Sequence, residues 1–87
     1  MILVTLPPAL LPLFPGCPGR HSVSATTVAE AIAALDAAWP GLGDRLCESP
    51  GRLRRHIRAF VAGEPADLAT ALPDGADLFL MTAISGG

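Results

Sequence analysis

The residues with the clearest potential for chemistry are the last two, Gly86 and Gly87. Glycine lacks a Cβ, so two glycines let a chain end enter a narrow channel and adopt backbone angles that other residues avoid. The reactive group would be the α-carboxylate of Gly87, a poor acyl donor until it is joined to AMP. Sulfide or a thiolate could then displace AMP and leave a thiocarboxylate or a thioester. Two final glycines also arise by chance in roughly 0.5% of chains at ordinary glycine usage, so the preceding elements must support this interpretation.

The other nucleophilic and titratable residues form no recognisable catalytic or metal-binding pattern. Cys17 and Cys47 lie 30 positions apart without the paired cysteines or histidines of a zinc site. Two cysteines are also too few for the disulfide framework of a small secreted domain, although a single bridge stays possible. We expect two reduced thiols, with Cys17 exposed in a loop and Cys47 packed. His21 and His56 are interpreted as non-catalytic, so we predict no catalytic residue and no metal site.

Size and composition limit the classes of function. The chain has 87 residues, of which 51% are apolar and 16% charged, and its net charge is −2. This predicts one folded domain that is too small for an enclosed active site and is therefore not an enzyme by itself. The charge argues against nucleic acid as a partner. The apolar N-terminal stretch lacks a positive start and is interrupted by prolines, so we expect a cytoplasmic protein that neither carries an export signal nor binds a membrane.

The chain pattern predicts two strands, a helix and further strands. Apolar residues 2–6 and alternating residues 20–25 favour a hairpin, with a proline-rich loop over 8–19. A capping box formed by Thr27 and Glu30 predicts a helix that ends at Pro40-Gly41. Strands are expected at 53–62 and 77–84, with a turn at 73–75 and either a turn or an edge strand at 67–72. The order β-β-α-β-β predicts an α+β fold, a small mixed sheet on one main helix, as one domain over 1–84 with a tail at 85–87.

Alternation within the last two long strands predicts an apolar outer face. Phe60, Phe79 and Met81 would lie on the sheet side away from the helix, which a single sheet leaves open. They are either a docking patch for a partner or ordinary scattered surface residues. Ile84 would be buried or would anchor the tail in a partner groove. The basic cluster Arg52, Arg54, Arg55, His56 and Arg58 is either a solvated face or a contact for an acidic partner.

Two stretches before the tail carry a family resemblance. Residues 55–64, RHIRAFVAGE, and residues 72–80, LPDGADLFL, are similar to the strand-and-turn motifs of the MoaD/ThiS-type ubiquitin-like sulfur carriers, which also end in Gly-Gly. The chain looks most like the CysO-type carriers of actinobacteria, which share a long segment like 40–54 and the Ser-Val-Ser-Ala stretch at 22–25. Ala62, Thr82 and Ser85 depart from the residues that the family often has, Asn, Pro and Ala. The resemblance implies the β-grasp fold over essentially the whole chain.

The resemblance also implies a function and a set of partners. Gly87 would be adenylated and converted to a thiocarboxylate, with Gly86 and Ser85 forming the slender tail that delivers it. The partners would be an adenylating enzyme of the ubiquitin-activating type, which uses ATP and Mg²⁺, and a biosynthetic enzyme that accepts the sulfur for cysteine or another sulfur-containing metabolite. The carrier itself would bind no cofactor.

Two other functions remain open. One is the small subunit of molybdopterin synthase, which would use the same tail inside a permanent complex. The other is a ubiquitin-like interaction module or protein modifier. The chain contains no lysine, so it cannot build lysine-linked chains on itself.

Overall fold

The computed structural model describes residues 1–48 and 51–83, and its centre is a five-stranded mixed sheet. The strands of this sheet are β1 (Ile2–Thr5), β2 (Arg20–Val23), β5 (Ile57–Val61), β6 (Glu64–Ala66) and β7 (Asp77–Thr82). Their spatial order is β2-β1-β7-β5-β6. β7 is therefore the central strand, parallel to β1 on one side and antiparallel to β5 on the other. The predicted β1–β2 hairpin and the α+β class agree with this arrangement.

One helix, α1 (Val28–Ala38), supplies most of the helical layer that packs on the sheet. Its buried residues recur at helical spacing and join the inward side chains of the sheet in one apolar core. The predicted N-cap is present, since the Thr27 hydroxyl accepts from the Glu30 N–H at 3.2 Å. The carboxylate of Glu30 returns to Thr26 instead of Thr27, accepting from its N–H at 2.8 Å and from its hydroxyl at 2.7 Å. This part of the capping-box prediction was wrong, because the Glu30 carboxylate reaches past the N-cap to the N–H and the hydroxyl of the residue before it.

A second small unit follows α1. The short helix α2 (Leu42–Leu46) leads into β3 (Cys47–Glu48), which pairs with β4 (Arg52–Leu53) in a two-stranded hairpin outside the main sheet. The predicted single strand over 53–62 was therefore wrong. The Ile57 N–H donates to the Arg54 carbonyl at 2.9 Å, so the chain turns there and β5 begins only at Ile57.

The interval 67–72, for which the sequence left a turn or an edge strand open, contains a turn, in which the Thr70 N–H donates to the Asp67 carbonyl at 3.2 Å. The edge strand β6 lies before it, at Glu64–Ala66. Ala62 and Gly63 form a two-residue connection from β5 to β6, and both have positive φ, 52° and 85°. This combination is that of a type I′ hairpin turn, which reverses the chain where the sequence suggested only the end of a strand. Pro65 is tolerated because β6 is an edge strand, where one missing N–H costs no ladder hydrogen bond on the open side.

The segment before β2, predicted as a proline-rich loop over 8–19, contains regular structure. Residues Pro8–Leu13 form a 3₁₀ helix, and Leu10 is buried against the core. The Cys17 N–H donates to the Phe14 carbonyl at 2.9 Å, which folds the segment back and buries Cys17. The expectation that Cys17 is exposed was therefore wrong.

Candidate functional site

Within the part of the chain that the structure describes, there is no enclosed polar site. Among residues 1–48 and 51–83 no polar or charged side chain is buried, and no three metal-ligating side chains gather where they could hold an ion. In the same residues no helix is long and apolar enough to span a membrane. Candidate sites in this part of the chain must therefore lie on the surface.

The root of the C-terminal segment is fixed at the centre of the sheet. β7 extends beyond the end of its pairing with β1 and stays paired with β5 up to the match of Thr82 with Ile57. One residue later the Ala83 N–H donates to the His56 carbonyl at 2.6 Å. The predicted site residues Ile84, Ser85, Gly86 and Gly87 lie outside the described residues. The structure therefore shows where this segment starts.

The outer face of the sheet carries the apolar patch that alternation predicted. Phe79 in β7 lies opposite Phe60 in β5, and Phe60 lies opposite Pro65 in β6. Met81 follows on the same face of β7. Phe79 is 48% exposed and Met81 39%, whereas Phe60 is half-buried. We call Phe60, Phe79 and Met81 the outer patch. Its members are brought together on one face, and its role in partner binding stays a prediction.

The basic cluster does not act as one surface. Arg52 pairs with Glu48 on the small hairpin, with 3.5 Å between Nε and Oε2. Arg58 turns its guanidinium to the Arg55 carbonyl at 2.6 Å. His56 falls within the strand predicted over 53–62, but it lies in the turn before β5.

Two arginines and His56 instead border a pocket beside the start of the C-terminal segment at Thr82 and Ala83, which we call the tail root. The pocket has a volume of about 210 Å³ and is lined by Leu10, Leu13, Arg45, Arg54 and His56. Sequence reasoning missed Arg45, because it lies on α2, nine positions before Arg54. Its only sequence signal was a positive charge in the last turn of a short helix.

The two thiols are not poised for nucleophilic chemistry. The His21 Nε2 lies 2.7 Å from the Pro18 carbonyl oxygen and 3.5 Å from the Cys17 Sγ. A carbonyl only accepts, so Nε2 carries the proton and cannot withdraw one from the thiol. Burial raises the pKa of Cys17. Burial also raises the pKa of Cys47, against a smaller opposing effect of the Arg54 charge.

Comparison with known proteins decides the family. No family model matches the chain. The sulfur carrier protein CysO of Mycobacterium tuberculosis is 36% identical over 83 aligned residues, which cover 86% of this chain and 89% of that protein. The chain belongs to the family of CysO sulfur carrier proteins. The crystal structure of Mycobacterium tuberculosis CysO matches 97% of this chain and 100% of its own with a TM-score of 0.87 and 31% identity.

Two further relatives extend the CysO family comparison. The crystal structure of the Amycolatopsis orientalis BexX/CysO complex has a chain that matches with a TM-score of 0.85 and 25% identity over the full length of both chains. Small archaeal modifier protein 1 of Haloferax volcanii is 39% identical over 61 residues, 70% of each chain. The family resemblance and the β-grasp α+β fold predicted from the sequence are thereby confirmed.

Proposed function

We propose that this chain carries sulfur on the carboxyl group of Gly87 as a substrate of partner enzymes, without catalysis of its own. The observation that carries the proposal is structural: in a member of the CysO family, the central strand β7 ends at Thr82, five residues before Gly87 in the sequence. In this position the last residues follow a strand that stays paired with β5 up to Thr82. They project at most about 13 Å, taking 3.3 Å per residue, which is enough to place Gly87 inside a partner's active site.

The chemistry divides into activation and sulfur transfer. In activation, the Gly87 carboxylate oxygen attacks the α-phosphorus of ATP, pyrophosphate leaves, and an acyl adenylate forms. In transfer, a sulfide sulfur attacks the carbonyl carbon, the bond from that carbon to the AMP oxygen breaks, and a thiocarboxylate and AMP result. Gly86 and Gly87 add no side chain that would block either approach. ATP and Mg²⁺ belong to the adenylating partner, and this chain supplies only the carboxyl group.

The outer patch supports the recognition half of this function. An enzyme that holds the last four residues must lie close to β7, which exposes Phe79 and Met81 on its outer face. Exposed aromatic and Met side chains in one patch are typical of a protein-binding surface. The sheet face is also held in place before binding, because β7 is paired with β5 along the stretch that carries Phe79 and Met81. We therefore assign the outer patch to docking of the ubiquitin-activating-type adenylating enzyme and, in turn, of the sulfur-accepting biosynthetic enzyme.

The test is intact-mass measurement after incubation with ATP, Mg²⁺, a sulfide source and the adenylating enzyme. The mass should increase by the difference between sulfur and oxygen, and removal of Gly86 and Gly87 should abolish the change. As a matched control, Cys17→Ser and Cys47→Ser variants should still gain the same mass, because the sulfur is carried on a carboxyl group and not as a persulfide. An unchanged mass with an adenylating enzyme that is active on another carrier would contradict the proposal.

A second candidate is protein modification through the same end. The similarity to a small archaeal modifier protein, 39% over 70% of the chain, favours it. In that case the adenylated Gly87 would be attacked by a lysine amine of a target protein, forming an isopeptide bond and releasing AMP. Affinity-tagged chain purified under denaturing conditions would then carry covalent partners. Absence of adducts together with a thiocarboxylate in the mass spectrum would decide for the carrier function.

A further inference from the structure

The residues of the basic pocket beside the tail root have no part in the proposed carrier chemistry. It lies between the 3₁₀ helix, which contributes Leu10 and Leu13, and α2, which contributes Arg45. Arg54 and His56, from the turn before β5, form its remaining wall. One small pocket thus combines two guanidinium groups and an imidazole with an apolar floor.

The positive charges of the pocket are not neutralised within the described part of the chain. Arg54 donates through Nε to the Asp44 carbonyl at 2.6 Å, which fixes the plane of its guanidinium. No carboxylate of residues 1–48 or 51–83 pairs with Arg54 or Arg45. Arg52 differs, because its charge already pairs with Glu48. Arg54 is therefore a preorganised donor that still has free N–H groups for a planar anion.

The place of the pocket decides what must cover it. The His56 carbonyl accepts from the Ala83 N–H at 2.6 Å, so one of the residues that line the pocket is bonded directly to the last described residue before Ile84. A protein that grips residues 84–87 must lie over this end of the sheet and therefore over the pocket. Covering two unpaired guanidinium groups with neutral surface is costly, because the charges lose water and gain no partner. The covering protein must therefore bring an anion.

We propose that this pocket receives an aspartate or glutamate side chain of the enzyme that adenylates the tail. The inference rests on the proposed function, since it names how that partner is recognised. A carboxylate fits the two-pronged donor geometry of a guanidinium, and the leucines match the methylene groups that precede it. They also exclude water from the pair, which strengthens the attraction. Recognition through this pocket is additional to docking on the outer patch.

Kinetics of ATP–pyrophosphate exchange with the adenylating enzyme test the pocket. Arg45→Gln and Arg54→Gln should each raise the KM for the carrier about tenfold with kcat unchanged within a factor of two. The steepness with which added salt weakens binding should also fall, since one charge pair is lost. Arg52→Gln is the matched control, because it removes the same charge from a neighbouring exposed position outside the pocket, and it should stay within a factor of two of wild type. Equal KM values for all three variants and wild type would overturn the proposal, as would a loss confined to kcat.

Four further outcomes are distinguished. If the pocket held the chain's own carboxylate, removing Gly86 and Gly87 from the isolated protein would shift the Arg45 and Arg54 Nε–H NMR signals, and this would overturn the proposal. A variant that changes the KM for ATP instead of the carrier would point to a phosphate and would overturn it too. If Arg54→Gln unfolds the chain, the Arg45→Gln variant still tests the pocket, because Arg45 is exposed and its replacement should not affect folding. Wild-type carrier that binds the enzyme calorimetrically without exchange would refute the proposed function alone, and the binding constants of the variants would then decide on the pocket.

Discussion

Replacing two neighbouring residues of β7 separates docking from folding. Phe79 and Leu80 are adjacent in the central strand but point to opposite sides of the sheet. Phe79 is 48% exposed on the outer face, whereas Leu80 is completely buried against α1 and the core. Phe79→Ala should therefore weaken partner binding with a small effect on stability. Leu80→Ala should lower the stability of the fold strongly. The molecules that remain folded should bind the partner as wild type does.

The size of each effect follows from the area involved. A phenylalanine that buries about 200 Å² when fully covered still has about 100 Å² available at Phe79, worth roughly 2.5 kcal/mol at 25 cal/mol per Å². This corresponds to a loss of about 60-fold in affinity as an upper value. In the free protein, losing the cross-strand contact with Phe60 costs up to about 1 kcal/mol. For Leu80→Ala the transfer and cavity terms together cost roughly 2–5 kcal/mol of unfolding free energy.

Two measurements on the same protein samples check this reasoning. Urea unfolding gives the free energy of unfolding, and calorimetric titration with the adenylating enzyme gives the dissociation constant. Phe79→Leu serves as a control that keeps an apolar side chain at the position and should lose much less affinity than Phe79→Ala. Phe79→Ala with an affinity within twofold of wild type would refute a docking role for the outer patch. Equal destabilisation by Phe79→Ala and Leu80→Ala would refute the assignment of the two faces.

Three other predictions concern the scaffold. The two hydrogen bonds from Thr26 hold the pKa of Glu30 below its ordinary value. The charged carboxylate therefore stabilises the fold at pH values above the ordinary pKa, and this contribution disappears as the pH falls through the lowered pKa. Glu30→Gln should accordingly be less stable than wild type in urea at pH 7, and the difference should shrink at pH 3; a constant difference would contradict this. Ala62→Gly should raise the free energy of unfolding by about 1 kcal/mol, because Ala62 has φ 52°, with Ala59→Gly as a destabilising control. The buried Cys17 should react with a thiol reagent more slowly than free cysteine at pH 8 and at the ordinary rate in urea, whereas equal rates in both would contradict its burial.

The elements with a simple period were predictable from the sequence. The α1 stripe and the alternation in β7 each reflect one buried face, so residue type alone indicates which side chains point inward. The failures lie where backbone geometry decides. A two-residue turn at Ala62 and Gly63 reverses the chain, but alanine is an unusual residue for positive φ and the signal for a hairpin was weak. The alternation over 53–62 likewise continued through a real turn, because turn residues between two strands can keep the same pattern by coincidence.

The candidate site was predictable in part for a related reason. The tail and the outer patch lie on continuous stretches of sequence, so their types and spacing were visible. The basic pocket combines three separate segments, and only folding brings Arg45 of α2 next to Arg54. Cys17 shows the same effect in the core. A proline-rich sequence predicts an exposed loop, yet the 3₁₀ helix at Pro8–Leu13 folds this segment over the sheet and buries the thiol.

The position of the tail on the central strand constrains how partners can recognise this protein. Strand β7 pairs with β1 up to Phe79 and with β5 up to Thr82, and its inward residues Leu78 and Leu80 are fully buried, so opening it would cost much of the free energy of unfolding. A partner must therefore take the tail from a rigid root. Gly86 and Gly87 offer no side chains by which one carrier differs from another. Discrimination between carriers has to come from side chains around the root, and the structure places two distinct kinds there, apolar on the outer face and basic in the pocket.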